Sequence, residues 1–216
     1  MRRNFLRPPH GAGEIAADAV RGLGLLGVIV AAIWLTPTDA GILALALPAL
    51  LVPRFVGVRP SFDIAYGLTV LVAAWSNVLD LYRTVLWWDL PVHFACTGLL
   101  AAMLYLVLVR CAVVPSRESA AFAPRVGIVL VTALGLSLST VWEMVEWAGF
   151  TFISDDIYVA YTDTIGDMAV GGLGAVAAGL LVAYVRLMRT DGTDAAVAAP
   201  ADEAMAGRSL RDGGRG

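Results

Sequence analysis

The stretch Leu90-Pro91-Val92-His93-Phe94-Ala95-Cys96-Thr97-Gly98-Leu99-Leu100-Ala101-Ala102-Met103-Leu104-Tyr105-Leu106-Val107-Leu108-Val109-Arg110 decides the fold class. It holds no acidic or basic side chain before its terminal Arg, apart from His93. A helix rises 1.5 Å per residue and the hydrocarbon core of a bilayer is about 30 Å thick, so about 20 apolar residues make one crossing. This run has the length and composition of a transmembrane helix.

Working outward, five further runs have the same character, at about Val20 to Leu35, Ala40 to Val58, Phe62 to Leu81, Val126 to Phe150 and Thr164 to Met188. Pro48, Pro53 and Arg54 leave the second of these short or kinked, and a re-entrant segment there would invert everything after it. The whole chain agrees with a lipid solvent: 59% of its 216 residues are hydrophobic, 15% are charged, and the mean hydropathy is +0.77. The expected fold is all-α, a polytopic transmembrane bundle of about six helices over residues 20–189. A cytoplasmic N-terminal segment (1–19) precedes it and a disordered cytoplasmic tail (190–216) follows, poor in large apolar residues. The apolar character begins only after Glu14 and Asp18, so the first helix is expected to be retained and not cleaved as a signal peptide. Membrane lipid is the expected partner and nucleic acid is not; the oligomeric state is left open.

Orientation comes from arginine, since cytoplasmic loops are enriched in basic residues. Arg2, Arg3 and Arg7 precede the first run, Arg54 and Arg59 join the second to the third, Arg110, Arg117 and Arg125 join the fourth to the fifth, and Arg186 and Arg189 follow the sixth. The other connections carry Arg83 beside Asp39, Asp89, Asp155 and Asp156. Alternate connections are basic, which places both termini in the cytoplasm. Trp34, Trp75, Trp87, Trp88, Trp142 and Trp147 all fall toward the opposite, outer ends, where indole rings favour the headgroup level. Cys96 and Cys111 stand at opposite parts of one helix and cannot bridge. Gly171, Ala175 and Gly179, with Gly98, Ala102, Gly135 and Ser139, give small faces at four-residue spacing, which let helices four to six approach closely.

Polar residues concentrate at the outer ends in pairs three or four apart, a spacing that puts both members on one helix face. The pairs are Asn77 with Asp80, Asp89 with His93, Glu143 with Glu146, and Asp163 with Asp167. Four helices thus aim at one outward pocket, and the inner halves show no comparable cluster. Six carboxylates with one imidazole and Arg83 need added positive charge in a low-dielectric site. A divalent cation supplies it, with His93, Glu143, Glu146 and Asp167 as the expected ligands; oxygen donors with one imidazole suit Mg²⁺, Mn²⁺, Ca²⁺, Zn²⁺ or iron. Protonated carboxyls in a proton path are the alternative.

Three stretches carry a resemblance: Trp88-Asp89-Leu90-Pro91-Val92-His93-Phe94, Trp142-Glu143-Met144-Val145-Glu146-Trp147, and Asp163-Thr164-Ile165-Gly166-Asp167-Met168 with the small-residue run to Gly174. In order and spacing, over roughly Asp80 to Leu180, they resemble the YjdF-like family of bacterial inner-membrane proteins, a resemblance that brings no reaction with it. A looser similarity extends to VanZ-like membrane proteins, which lack the later Glu-x-x-Glu.

Three functions compete on these residues. The first is a metal-dependent enzyme on an outer-leaflet lipid, with Asp89 or Asp163 as general base. A phosphoryl substrate would call for Arg nearby, and only Arg83 is at hand. The second is a cation or proton transporter, against which stands the confinement of the acids to one leaflet. The third is a nonenzymatic protein that binds an envelope component around a structural ion.

Overall fold

The computed structural model describes residues 1–153 and 159–189. The expected tail from Thr190 onward, and Asp155 and Asp156, lie outside the described residues. Among the described residues eight helices follow one another: α1 (Arg2–Leu6), α2 (Ala12–Trp34), α3 (Pro37–Val56), α4 (Pro60–Val78), α5 (Leu81–Thr84), α6 (Asp89–Arg110), α7 (Pro124–Phe152) and α8 (Tyr161–Tyr184). Local chemistry sets several of their ends. Thr36 and Asp39 form a reciprocal cap at the start of α3, with Asp39 N–H donating to Thr36 Oγ1 at 3.2 Å and Thr36 N–H to Asp39 Oδ2 at 3.0 Å. Pro37, Pro60 and Pro124 each stand at the first helical position, where a missing N–H costs nothing. Gly57 ends α3 in the left-handed region at φ 81°.

Among the described residues, five helices, α2, α3, α6, α7 and α8, are long and apolar enough to cross a membrane. The proline-containing second run is therefore a continuous helix. Pro48 and Pro53 lie inside it, and Arg21 Nε from α2 donates to the Leu50 carbonyl at 3.0 Å between them. The third expected span becomes α4, which is not among the five; it carries Asp63, Ser76 and Asn77. Its 19 residues nonetheless extend about 28 Å, and it packs against α2, α3 and α6.

The long helices alternate in direction. At one end, Val58 forms an antiparallel bridge with Met188, Arg59 N–H donates to Leu187 O at 2.7 Å, and Arg189 N–H to Gly57 O at 3.0 Å. Asn4 Nδ2 reaches Val56 O at 3.2 Å and Arg117 Nε reaches Ala183 O at 3.1 Å. The N-terminal segment, the α3–α4 turn, the α6–α7 connection and the residues after α8 thus share one face of the bundle. At the other end Trp88 Nε1 donates to Ser76 Oγ at 2.8 Å and Tyr82 Oη to Ala73 O at 3.1 Å, tying the α4–α5–α6 corner.

Two helix groups make up the bundle. Helices α2, α3 and α4 pack together around Val20, Leu50 and Leu71. Helix α8 lies against both α6 and α7, and the larger core, including Tyr66, Tyr105, Val131, Ala175 and Val182, joins this trio to α3 and α4.

One expectation is overturned at the face that gathers the N-terminal segment and the end of α8. There the inner halves do hold a polar cluster. Arg21 grips Asp63 with 2.6 and 2.7 Å contacts and Asp18 at 2.9 Å. Arg54 meets both oxygens of Asp18 at 2.7 Å. Glu14 is buried between Arg7 and Arg189, the latter at 3.0 Å, and accepts the His10 backbone N–H at 2.7 Å. Helix α2 therefore begins well before Val20, because acids that look like solvated preamble in sequence have arginine partners from α3, from the start of the chain and from beyond α8.

Candidate functional site

The site stands at the end of the bundle opposite that charge network, on α6, α7 and α8. These three helices meet closely because glycine removes side chains at their contact. A Cβ on Gly98 would lie 2.6 Å from the Gly174 carbonyl oxygen, and one on Gly174 would lie 2.8 Å from the Phe94 carbonyl carbon. Backbones this near one another bring the first turns of α6 and α8 together.

On that scaffold His93 Nε2 lies 3.2 Å from Asp89 Oδ1, one turn earlier on α6. Asp167 on α8 completes a group of three in which one ligand atom from each residue lies within 4.8 Å of the others. His93 and Asp167 retain only 8% and 3% of their exposure, and Asp89 is half-buried toward the mouth. Glu143, on the facing side of α7, is 8% exposed, and its Oε1 has no hydrogen-bond partner among the described residues. An unpaired carboxylate oxygen in such a place costs several kcal/mol unless something approaches it. The chemistry of the donor set, one imidazole with hard oxygens, fits a divalent cation.

The other expected residues are placed differently. Glu146 is half-buried and accepts Trp142 Nε1 at 2.8 Å; it stands outside the group of three. Asp163 is half-buried on the first turn of α8. Asn77 and Asp80 do not join the site. Asp80 leaves the helix in the left-handed region at φ 55°, and its exposed carboxylate faces Arg83 at 4.0 Å. Three helices therefore carry the site, and Tyr82 and Trp88 tie α5 and the start of α6 to α4 beside it. Asp89, expected as a base, is found among the candidate ligands.

Beneath His93, Glu143 and Asp167, one turn further in on each helix, come Thr97, Ser139 and Gly171. One turn deeper still come Ala101, Gly135 and Ala175. The two alanines are fully buried, and a Cβ on Gly135 would fall on that of Ala175 and lie 3.3 Å from that of Ala101. The column under the site is thus acidic at its mouth, hydroxylic in the middle and closed by methyl groups below. Sequence reading took Ser139 and Gly171 for packing residues; their four-residue offset from Glu143 and Asp167 was the signal for the middle layer.

A family described as a predicted membrane protein family (DUF2238) matches residues 20–188. The chain belongs to this family. No curated protein and no solved structure matches it. For this DUF2238 chain the matched span contains all six long helices except the first turns of α2, together with every residue of the candidate site.

Proposed function

We propose that this chain binds a divalent cation in the membrane through Asp89, His93 and Asp167, with Glu143 as a further oxygen donor. The single observation that carries this is the convergence of three ligand atoms within 4.8 Å, together with a buried Glu143 carboxylate oxygen that has no hydrogen-bond partner among the described residues. The arginine pattern read from the sequence supports an extracytoplasmic position for the site and a cytoplasmic one for both termini, in a bacterial inner membrane.

With a cation bound, the site has the parts of a metal-dependent enzyme acting on an outer-leaflet lipid headgroup. The cation would supply Lewis acidity, Asp163 at the mouth is placed to take a proton, and Glu146 braces Trp142 at the rim. Exposed Trp87, Trp142 and Trp147 around this end suit headgroup depth. The methyl-closed column favours this one-sided reading over a cation or proton passage through α6, α7 and α8. A nonenzymatic role around a structural ion shares the same ligand set and is separated from catalysis by assay.

Elemental analysis of detergent-purified protein is the first test, with about one divalent ion per chain expected. Chelation should lower its melting temperature and readdition restore it. His93→Ala and Asp167→Asn should abolish both the ion and the response. Absence of metal together with indifference to chelator, Mn²⁺ and Zn²⁺ would defeat the proposal. A lipid panel presented to the metal-loaded protein then separates enzyme from structural ion site.

A further inference from the structure

At the end of the bundle opposite the candidate site, three guanidiniums gather on residues 183–186, where α8 ends. Arg117, from the α6–α7 connection, donates from Nε to Ala183 O at 3.1 Å and from Nη2 to Tyr184 O at 3.0 Å. Arg59, from the α3–α4 turn, donates from Nη1 to Arg186 O at 3.4 Å. Arg186 itself holds its Nε 3.4 Å from Glu118 Oε1, the carboxylate that meets the group. All three arginines are exposed. Two ordinary explanations fall short. The cytoplasmic bias of arginine puts basic residues at one end of a bundle without bringing three separate connections to one place. Capping of the last α8 carbonyls uses two nitrogens of Arg117; Arg117 Nη1, Arg59 Nη2 and the terminal nitrogens of Arg186 make no hydrogen bond among the described residues.

Beside them is a hollow between the ends of α6 and α8. Leu106 and Val109 of α6, with Val182 and Val185, give it apolar walls, and Arg117 and Glu118 are its charged part. We propose that this hollow holds one anionic phospholipid of the leaflet at that end, its phosphate among Arg59, Arg117 and Arg186 and the start of an acyl chain on Val109 and Val185. Three guanidiniums against one carboxylate leave two positive charges. A phosphodiester whose alcohol is uncharged compensates them, whereas a zwitterionic headgroup brings an ammonium of its own. Because Arg117 covers the α8 carbonyls, a phosphate there meets N–H groups and not the negative end of the helix. None of these residues belongs to the candidate site, so the lipid reading stands apart from the cation.

The test uses the full chain in nonionic detergent, with phosphatidylglycerol as the probe and phosphatidylethanolamine as the comparison, and native mass spectrometry counts the lipid retained. A basic side chain beside an anionic headgroup contributes about fivefold, so one phosphatidylglycerol per chain should be held about tenfold or more tightly than phosphatidylethanolamine. Arg59→Gln combined with Arg186→Gln should remove most of that preference. Arg2→Gln with Arg3→Gln takes the same charge from exposed residues outside the hollow and should leave the preference within about twofold. Glu118→Gln should tighten phosphatidylglycerol by about twofold to fivefold, an effect of opposite sign that decides the matter should the double variant fail to fold. Equal retention of the two lipids by the wild type overturns the proposal, as does the absence of any gain in Glu118→Gln. An equal loss in the two arginine pairs overturns it in favour of diffuse attraction to a basic face. Inorganic phosphate bound as tightly as the lipid overturns it in favour of a free-anion site.

Discussion

Replacing Gly98 by Ala tests the contact that assembles the site. The new Cβ would lie 2.6 Å from the Gly174 carbonyl oxygen and 3.0 Å from its carbonyl carbon. The nearest comfortable carbon–oxygen approach is about 3.3 Å, so α6 and α8 must separate by about 0.7 Å. Both partners are backbone, and no rotamer change relieves the overlap. Overpacking of this kind costs about 1–3 kcal/mol, and the absence of a flexible neighbour puts this case toward the upper end. Against it stands the gain of about 1 kcal/mol from replacing glycine by alanine inside a helix. Gly166→Ala on α8 isolates that gain, because a Cβ there meets nothing within 4 Å. The expected outcome is a Gly98→Ala protein less stable than the Gly166→Ala protein by about 2–3 kcal/mol. In thermal unfolding monitored by circular dichroism, that difference corresponds to about 4–12 °C for a chain of this size. Divalent-ion affinity should fall in parallel, since His93 and Asp167 ride on the two helices that part. Equal melting temperatures for the two variants would refute the claim that this contact is tight, and unchanged ion binding would refute its bearing on the site.

Arg21→Ala removes one partner of a pair whose side chains are 12% and 14% exposed, leaving the Asp63 carboxylate without the guanidinium that holds both its oxygens. A loss of about 3–5 kcal/mol is expected in denaturant unfolding, and a loss under 1 kcal/mol would show that the pair is not sequestered. Cys111, exposed at the C-cap of α6, should resist a membrane-impermeant maleimide in intact cells and react in inverted vesicles of a Cys96→Ala strain; the reverse pattern would invert the proposed orientation. Asp80→Asn, at an exposed residue outside the site, should leave ion affinity within twofold of wild type by Mn²⁺ paramagnetic resonance, whereas Asp89→Asn should reduce it at least tenfold.

Much of the fold was legible because lipid imposes a length and a composition on each crossing, and long apolar runs reveal both. The ends were less so. Nothing between Asn77 and Leu81 punctuates the sequence with Gly or Pro, so the break at Asp80 was read through, and its carboxylate was credited to a pocket from which the turn removes it. The pairs on α6, α7 and α8 were legible because residues of one helix share a face by counting alone. Which of them close on a common point depends on interhelical distance: Asp89, His93 and Asp167 offer ligand atoms within 4.8 Å of one another, and neither Glu143 nor Glu146 joins that group. The Arg21–Asp63, Arg54–Asp18 and Arg189–Glu14 pairs were invisible for the same cause: their partners lie 42, 36 and 175 positions apart, beyond any local spacing rule.

The layer of Ala101, Gly135 and Ala175 makes the site a cul-de-sac. Whatever enters between α6, α7 and α8 must leave by the door it came in, so turnover there would need no conformational alternation and would consume no gradient. The ion that occupies it would equilibrate with one compartment alone. In the proposed orientation that compartment is the extracytoplasmic one, and the occupancy of the site would follow the metal content there while the cytosolic metal pool, however tightly held, would have no access to it.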